Sequence, residues 1–270
     1  MTKPEFIIAG AMKGGTTAIR VNFSRHPEVF MSNIFSKERI SKELSDNYVY
    51  DDFDDVTISK NGEMDFFNVD KNYYCGLNSY FKFFKKWDNQ KVVAECSANY
   101  LYLDEWPNTH YRIKGAMPDV NLIFSIRDPI SRSFSHWNHI QQERPYWGRH
   151  YIDKTFYDCV AESWCPIITR SKYIENLKKY LKLFDREKML ILIQEQIVKN
   201  VPKEYNKICN FMNIGKFSKD HQYAMAHRRT YEEKIDDKSK EYLLKLFSDS
   251  VKELQDLFPE LDYSGWSNYS

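Results

Sequence analysis

The chain has 270 residues, with 39 Lys and Arg against 38 Asp and Glu, so its formal net charge of +1 offers no global basic field for nucleic acid or an anionic membrane. Hydrophobic residues at 42% and charged residues at 29% exclude a disordered chain, and the length is ample for a buried core. The 19 Tyr and 18 Phe suit either a filled core or an aromatic-lined pocket, and composition does not choose between them.

In chain order, the first expected element is a strand over 6–11. Its run Phe6-Ile7-Ile8-Ala9 is too short for a signal-peptide core or a bilayer span, and no later run reaches spanning length. A helix is expected near 16–25. Residues 41–56 then carry Glu43, Asp46, Asp51, Asp52, Asp54 and Asp55 against the single Lys42, with no period. They read as a solvated surface insertion or as an acidic lip over a substrate site. Further helices are expected near 76–87, 130–142, 170–184 and 202–212, and further strands over 91–96, 121–127 and 188–194. On the last helix, 238–258, Leu243, Phe247, Val251, Leu254 and Phe258 form one apolar stripe.

The strand segments are continuously apolar, as parallel strands covered on both faces are. Alternation with helices predicts a three-layer α/β fold, a central parallel sheet flanked by helices, in one domain over 1–270 with an insertion at about 30–60. The five cysteines are odd in number, scattered and without a C-x-x-C pair, which argues against a disulfide framework or structural zinc. A soluble cytoplasmic protein is expected.

Between the first strand and the first helix lies GAMKGGTT, residues 10–17. A strand, a glycine-rich turn and a helix start gather backbone N–H groups and the positive helix end around one anion. Gly14 and Gly15 permit close backbone approach, Thr16 and Thr17 add hydroxyls, and Lys13 adds a cation. The nucleoside-triphosphate loop pattern G-x-x-x-x-G-K-[ST] is met at Gly10, Gly15 and Thr17, but Thr16 stands where its lysine belongs. ATP or GTP chemistry is therefore the weaker reading, and a bare strand-to-helix turn leaves Lys13 and the threonine pair unexplained.

A second constellation follows the 121–127 strand. Arg127 stands at its carboxyl end, where α/β folds collect ligands, and Asp128-Pro129 starts a helix. Ser135 comes eight residues after Arg127. A guanidinium fork with a hydroxyl suits a second phosphate.

Taken together, these segments resemble the sulfotransferases that use 3′-phosphoadenosine 5′-phosphosulfate (PAPS), in particular the bacterial and heparan-sulfate type. Residues 10–17 look like that family's 5′-phosphosulfate loop. Arg127, Pro129 and Ser135 look like its 3′-phosphate motif. Glu63-Met64-Asp65-Phe66-Phe67 with Tyr73 and Gly76-Leu77, and Glu95-Cys96-Ser97-Ala98-Asn99-Tyr100, resemble two further stretches. The likeness runs over most of the chain, with 30–60 unmatched. It implies a P-loop-NTPase-like fold, PAPS as donor with 3′,5′-adenosine bisphosphate (PAP) as product, and no required metal.

On this resemblance Lys13 neutralises charge on the bridging oxygen, Gly14, Gly15, Thr16 and Thr17 hold the 5′-phosphate, and Arg127 and Ser135 hold the 3′-phosphate. It points to Glu63 as general base, with Glu38 as rival because the family glutamate often follows a lysine, as in Lys37-Glu38. His227-Arg228-Arg229 lies where relatives carry a basic loop over the 3′-phosphate, so Arg228 and Arg229 are candidates for a cofactor lid. Two departures stand out: Cys96 occupies the place of a second lysine found in some relatives, and Ala98 that of a proline. Cys96 reads as a small buried residue rather than a nucleophile. His136, His139 and Glu143 share a helical face at metal-compatible spacing but lack a further ligand cluster.

The expected activity is sulfuryl transfer to a hydroxyl or amine of a saccharide or small-molecule acceptor, without nucleic acid as partner. A nucleotide or small-molecule kinase and a non-catalytic nucleotide-binding protein are the alternatives. An acidic insertion lining the site would favour a neutral or cationic acceptor.

Overall fold

The computed structural model describes residues 2–32, 62–142, 154–162, 165–224, 234–266 and 269. Its centre is a sheet of five parallel strands, β1 (Phe6–Gly10), β2 (Val29–Met31), β3 (Val92–Cys96), β4 (Asn121–Ile126) and β5 (Met189–Ile193), in the order β2-β3-β1-β4-β5. Every residue of β1 and β3 is buried, as strands covered on both faces require.

Alternation along β1 divides the interior into two layers. Ile7 and Ala9 face a core shared with Leu122, Phe124 and Ile191, and with Leu177, Leu243 and Phe247 from flanking helices. Phe6 and Ile8 face the opposite core, filled by Ile19 and Phe23 of α1 (Thr16–Phe23) and by Tyr205 and Ile208 further along. This is the expected P-loop-NTPase-like sandwich.

The chain leaves β1 towards β2 and β3 on one side, then crosses to β4 and β5 on the other. The strand order therefore reverses between β1 and β4, and the crevice beyond their carboxyl ends is where such sheets bind ligands.

Four expected strands are present, and β2 is an addition. Its three residues carry no readable period, and it sits on the sheet edge beside β3, Val29 opposite Val92. The expected helix at 76–87 is α3 (Leu77–Phe81) running into a 3₁₀ turn (Lys82–Phe84), preceded by the short α2 (Asp70–Tyr73). Between β3 and β4 lies α4 (Thr109–Ala116), which was not expected; its buried residues include Thr109 and His110, so it lacks an apolar stripe. The helix expected at 130–142 is α5 (Pro129–Gln142). The short α6 (Phe156–Ala161) and α7 (Pro166–Thr169) are additions, and the helix expected at 170–184 is α8 (Tyr173–Leu181).

Residue 194 is not strand: β5 passes directly into α9 (Gln194–Lys199), followed by α10 (Val201–Phe211). The last helix, α11 (Asp237–Leu257), is capped by the Asp236 carboxylate accepting from Ser239 N–H at 2.8 Å. Its stripe Leu243, Phe247, Val251 and Leu254 is buried, as the spacing predicts. No described helix is long and apolar enough to cross a membrane. The acidic segment at 41–56 lies outside the described residues, as do Glu38, Glu143, Arg228 and Arg229.

Candidate active site

The glycine loop is tied to the neighbouring strand before it reaches α1. Ala11 N–H donates to the Ser125 carbonyl at 2.9 Å, and Ser125 Oγ donates to the Gly14 carbonyl at 2.6 Å. A Cβ on Gly14 would lie 2.0 Å from the Ser125 carbonyl oxygen, so glycine is required here for loop-to-strand packing. Gly15 has a φ of 89°, in the left-handed region that glycine adopts without strain, and caps α1. No side chain caps α1 and no acidic residue stands in its first turn, so the helix itself does not offset its positive end. Lys13 is also left-handed, with φ 70°. Tyr102 O–H donates to the Met12 carbonyl at 3.3 Å, which secures the far side of the loop.

One residue beyond Ser125, β4 ends at Ile126, and Arg127 follows. Asp128 starts α5 as anticipated: its carboxylate accepts from Ser131 N–H at 2.7 Å, and Pro129 is the first helical residue. The Arg127 side chain is mostly covered, and its Nε has no hydrogen-bond partner among the described residues. Ser135 is buried in the second turn of α5. The next residue, His136, is held neutral by burial and by the charges of Arg132, Arg170, His139 and Lys13. The charge of Lys13 thus reaches His136 on α5. His136 Nδ1 lies 3.3 Å from Arg132 Nη2, a cationic neighbour rather than a shared ligand set. Among the described residues no group of three or more could hold a metal ion.

The other wall carries Glu63, which is 7% exposed. Burial first, and then the charge of Asp65, push its carboxyl up to about 7; Arg20 and a hydrogen bond from the Ala98 backbone oppose the rise. That donor exists because residue 98 is alanine, since proline has no N–H. The turn that proline would shape forms regardless, as the 3₁₀ stretch Ala98–Leu101. Cys96 is fully buried on β3 and burial drives its thiol well above the usual range, so it is no nucleophile. The nearby charge is that of Arg20, from α1, which acts on both Cys96 and Glu63.

One residue of this wall has a role that spacing alone did not reveal. Glu95 is fully buried, and its carboxylate accepts from Tyr80 O–H, from Tyr100 O–H at 2.7 Å and from Ser97 Oγ at 2.9 Å. Ser97 Oγ accepts in turn from Asp65 N–H at 3.2 Å, and Tyr100 O–H from Phe66 and Phe67 N–H at 3.0 and 3.4 Å. The backbone just after Glu63 thus hangs from Glu95 through two hydroxyls. Phe66, Phe67 and Tyr80 enclose the network, with ring centroids 4.8–5.1 Å apart, and this apolar cage lifts Glu95 to about 7. The aromatic surplus fills core and site wall together.

Arg170 links this wall to the glycine loop. It pairs with both Glu105 oxygens at 2.5 and 2.6 Å, and its Nη1 donates to Met12 Sδ at 3.1 Å and Asn99 Oδ1 at 3.5 Å. Asn99 donates onward to the Asp65 carboxylate at 3.2 Å. An anion-ready loop and helix start, an arginine at the end of the adjoining strand, and a buried carboxyl poised near neutrality are thus the parts from which a site can be built.

Comparison with known proteins bears on this arrangement. A model described as the sulfotransferase family matches residues 4–219. The chain is 23% identical over 239 residues to mouse (Mus musculus) heparan sulfate glucosamine 3-O-sulfotransferase 5, which covers 84% of this chain and 59% of that relative. It is 26% identical over 226 residues to human (Homo sapiens) bifunctional heparan sulfate N-deacetylase/N-sulfotransferase 2, 79% of this chain and 22% of that protein. The chain thus spans well under two thirds of either curated relative. In three dimensions it is similar to a sulfotransferase from Alicyclobacillus acidocaldarius, with a TM-score of 0.70, 20% identity, and coverage of 99% of this chain and 100% of the other. That likeness bears on the fold.

Proposed function

This chain belongs to the sulfotransferase family, and on that premise we propose that it transfers a sulfuryl group from PAPS to a hydroxyl or amine acceptor. The observation that carries the reading is the locking of the glycine loop to the end of β4. Ser125 binds the loop at Ala11 and Gly14, so two anion-receiving elements share one crevice. A donor with phosphates at both ends of its nucleoside needs two such elements, whereas an ATP site would need a lysine where Thr16 stands.

The residues fit the donor. The backbone at Gly14 and Gly15, with Thr16 and Thr17 at the start of α1, would hold the 5′-phosphate end. Arg127 and Ser135 would hold the 3′-phosphate. When bound, the donor supplies an activated S–O bond whose cleavage releases PAP.

Lys13 is the cation that balances charge on the bridging oxygen. Glu63 takes the proton from the attacking hydroxyl or amine, and a carboxyl poised at about 7 matches that task better than one near 4.5. Arg20 and the Ala98 N–H keep Glu63 from rising further, so a useful fraction is ionised at neutral pH. The relatives named above act on heparan sulfate, which supports a saccharide as the acceptor class.

The test is transfer itself. The purified chain, incubated with sulfur-35-labelled PAPS and a panel of saccharide and small-molecule acceptors, should label an acceptor and release PAP. No labelled product alongside magnesium-dependent phosphorylation from ATP would overturn the proposal.

A further inference from the structure

Beside Arg127 stands a carboxylate that the mechanism above does not use. Strands β4 and β5 run in register to their ends, Ile126 opposite Ile193, so the next residues, Arg127-Asp128 and Gln194-Glu195, leave the sheet side by side. Glu195 Oε1 accepts from the Asp128 backbone N–H at 3.1 Å and lies 3.9 Å from Arg127 Nε. Its Oε2 accepts from Trp266 Nε1 at 2.9 Å, and Trp266 is buried. Tyr173 O–H donates to the Arg127 carbonyl at 2.9 Å, so the peptide bearing this arginine is fastened on both sides. The 262–266 segment lies flat on α9: Gln196 Nε2 donates to the Asp262 carbonyl and to Ser264 Oγ, both at 3.1 Å. A Cβ on Gly265 would come within 2.6 Å of Glu195 Cβ.

We infer that Glu195 is a positioning residue that aims the Arg127 guanidinium at the second phosphate of the donor, with Trp266 as the latch that fixes Glu195. Two effects of the carboxylate oppose each other. It offsets part of the arginine's charge, which weakens attraction for phosphate. It also stands as an ion pair 3.9 Å from the Nε edge of the guanidinium, which biases the far edge towards an anion and reduces the freedom lost on binding. The geometry favours positioning, because one carboxylate is hydrogen-bonded to the peptide N–H after Arg127 and to a buried indole while it lies in ion-pair range of the Arg127 side chain. This inference rests on the reading of Arg127 as the receiver of the 3′-phosphate.

The experiment is calorimetric titration of PAP and of adenosine 5′-monophosphate, without magnesium, into the wild type and the Glu195→Gln, Trp266→Phe, Arg127→Ala and Glu195→Gln/Arg127→Ala variants, with a thermal melt of each. Glu195→Gln is expected to weaken PAP about fivefold, the scale of a partly exposed ion pair, while the monophosphate is unaffected. The donor KM should rise more than kcat falls. Trp266→Phe should act in the same direction, and Glu195→Gln should add nothing once Arg127 is alanine. Discrimination lost in Arg127→Ala but retained in Glu195→Gln overturns this inference alone, as does tighter PAP binding in Glu195→Gln. If Arg127→Ala itself leaves the PAP-to-monophosphate ratio unchanged, the 3′-phosphate assignment falls and this inference with it.

Discussion

Gly14 and Ser125 are locked at close range: Ser125 Oγ donates to the Gly14 carbonyl at 2.6 Å, and a Cβ on Gly14 would lie 2.0 Å from the Ser125 carbonyl oxygen. The opposing atom is backbone in a central strand, so it cannot swing aside as a side chain would. Gly14→Ala is therefore expected to cost about 3 kcal/mol or more of stability, at the upper end of overpacking. A melting point several degrees lower, with loss of PAP binding, is the expected result; an unchanged melting curve would contradict this packing.

Glu63 sets the expected acid limb of the rate. Its carboxyl is raised to about 7, and a base works only when ionised, so kcat/KM should climb with pH and level off above about 7. Glu63→Gln should lower kcat by roughly 10²- to 10⁴-fold and abolish that limb. A pH–rate profile already flat from pH 5 would assign the base elsewhere.

Ala98 offers a finer test of the same carboxyl. Ser97 before it is extended, at φ −140° and ψ 99°, a conformation that the residue preceding proline adopts readily, and Ala98 opens its 3₁₀ turn. Ala98→Pro should therefore fold while removing the N–H that favours ionised Glu63. Its acid limb should move up by about one pH unit, the scale of one hydrogen bond to a charge. Comparing the two pH–rate profiles checks this, and coincident limbs would show that the Ala98 N–H does not reach Glu63.

Much of this site was legible because its chemistry depends on spacing along one strand–turn–helix segment. The loop at 10–17 and the Arg127, Pro129 and Ser135 series each declare themselves within ten residues. Glu95 did not, because its three hydroxyl partners come from α3, the turn after β3 and the residue two along, which only folding brings together. Glu195 was hidden where the apolar run of β5 passes straight into α9 without a loop. Arg20 carries no signal in the sequence, since the helix period does not say that its face meets Cys96. Short β2 and polar α4 were missed because three residues and a stripe-free helix leave no period to read.

Glu95 also predicts a pH dependence of stability. Its folded carboxyl is raised from 4.5 to about 7, so its contribution is complete below 4.5 and is lost as pH rises through about 7. Glu95→Gln keeps the shape and removes the titration. The wild type should therefore lose stability between pH 4.5 and 7 by a few kcal/mol, while the variant loses less, on about 1.4 kcal/mol per pKa unit. Urea unfolding at three pH values measures it, and parallel slopes in both proteins would rule out Glu95 as the titrating group.

Whether one crevice receives both phosphates of a sulfuryl donor is decided by calorimetric titration of PAP and of adenosine 5′-monophosphate in the presence of a chelator that removes magnesium. PAP should bind at least tenfold tighter, from the charged contacts of the second phosphate. Equal affinities, or binding that appears only with ATP and magnesium, would contradict it.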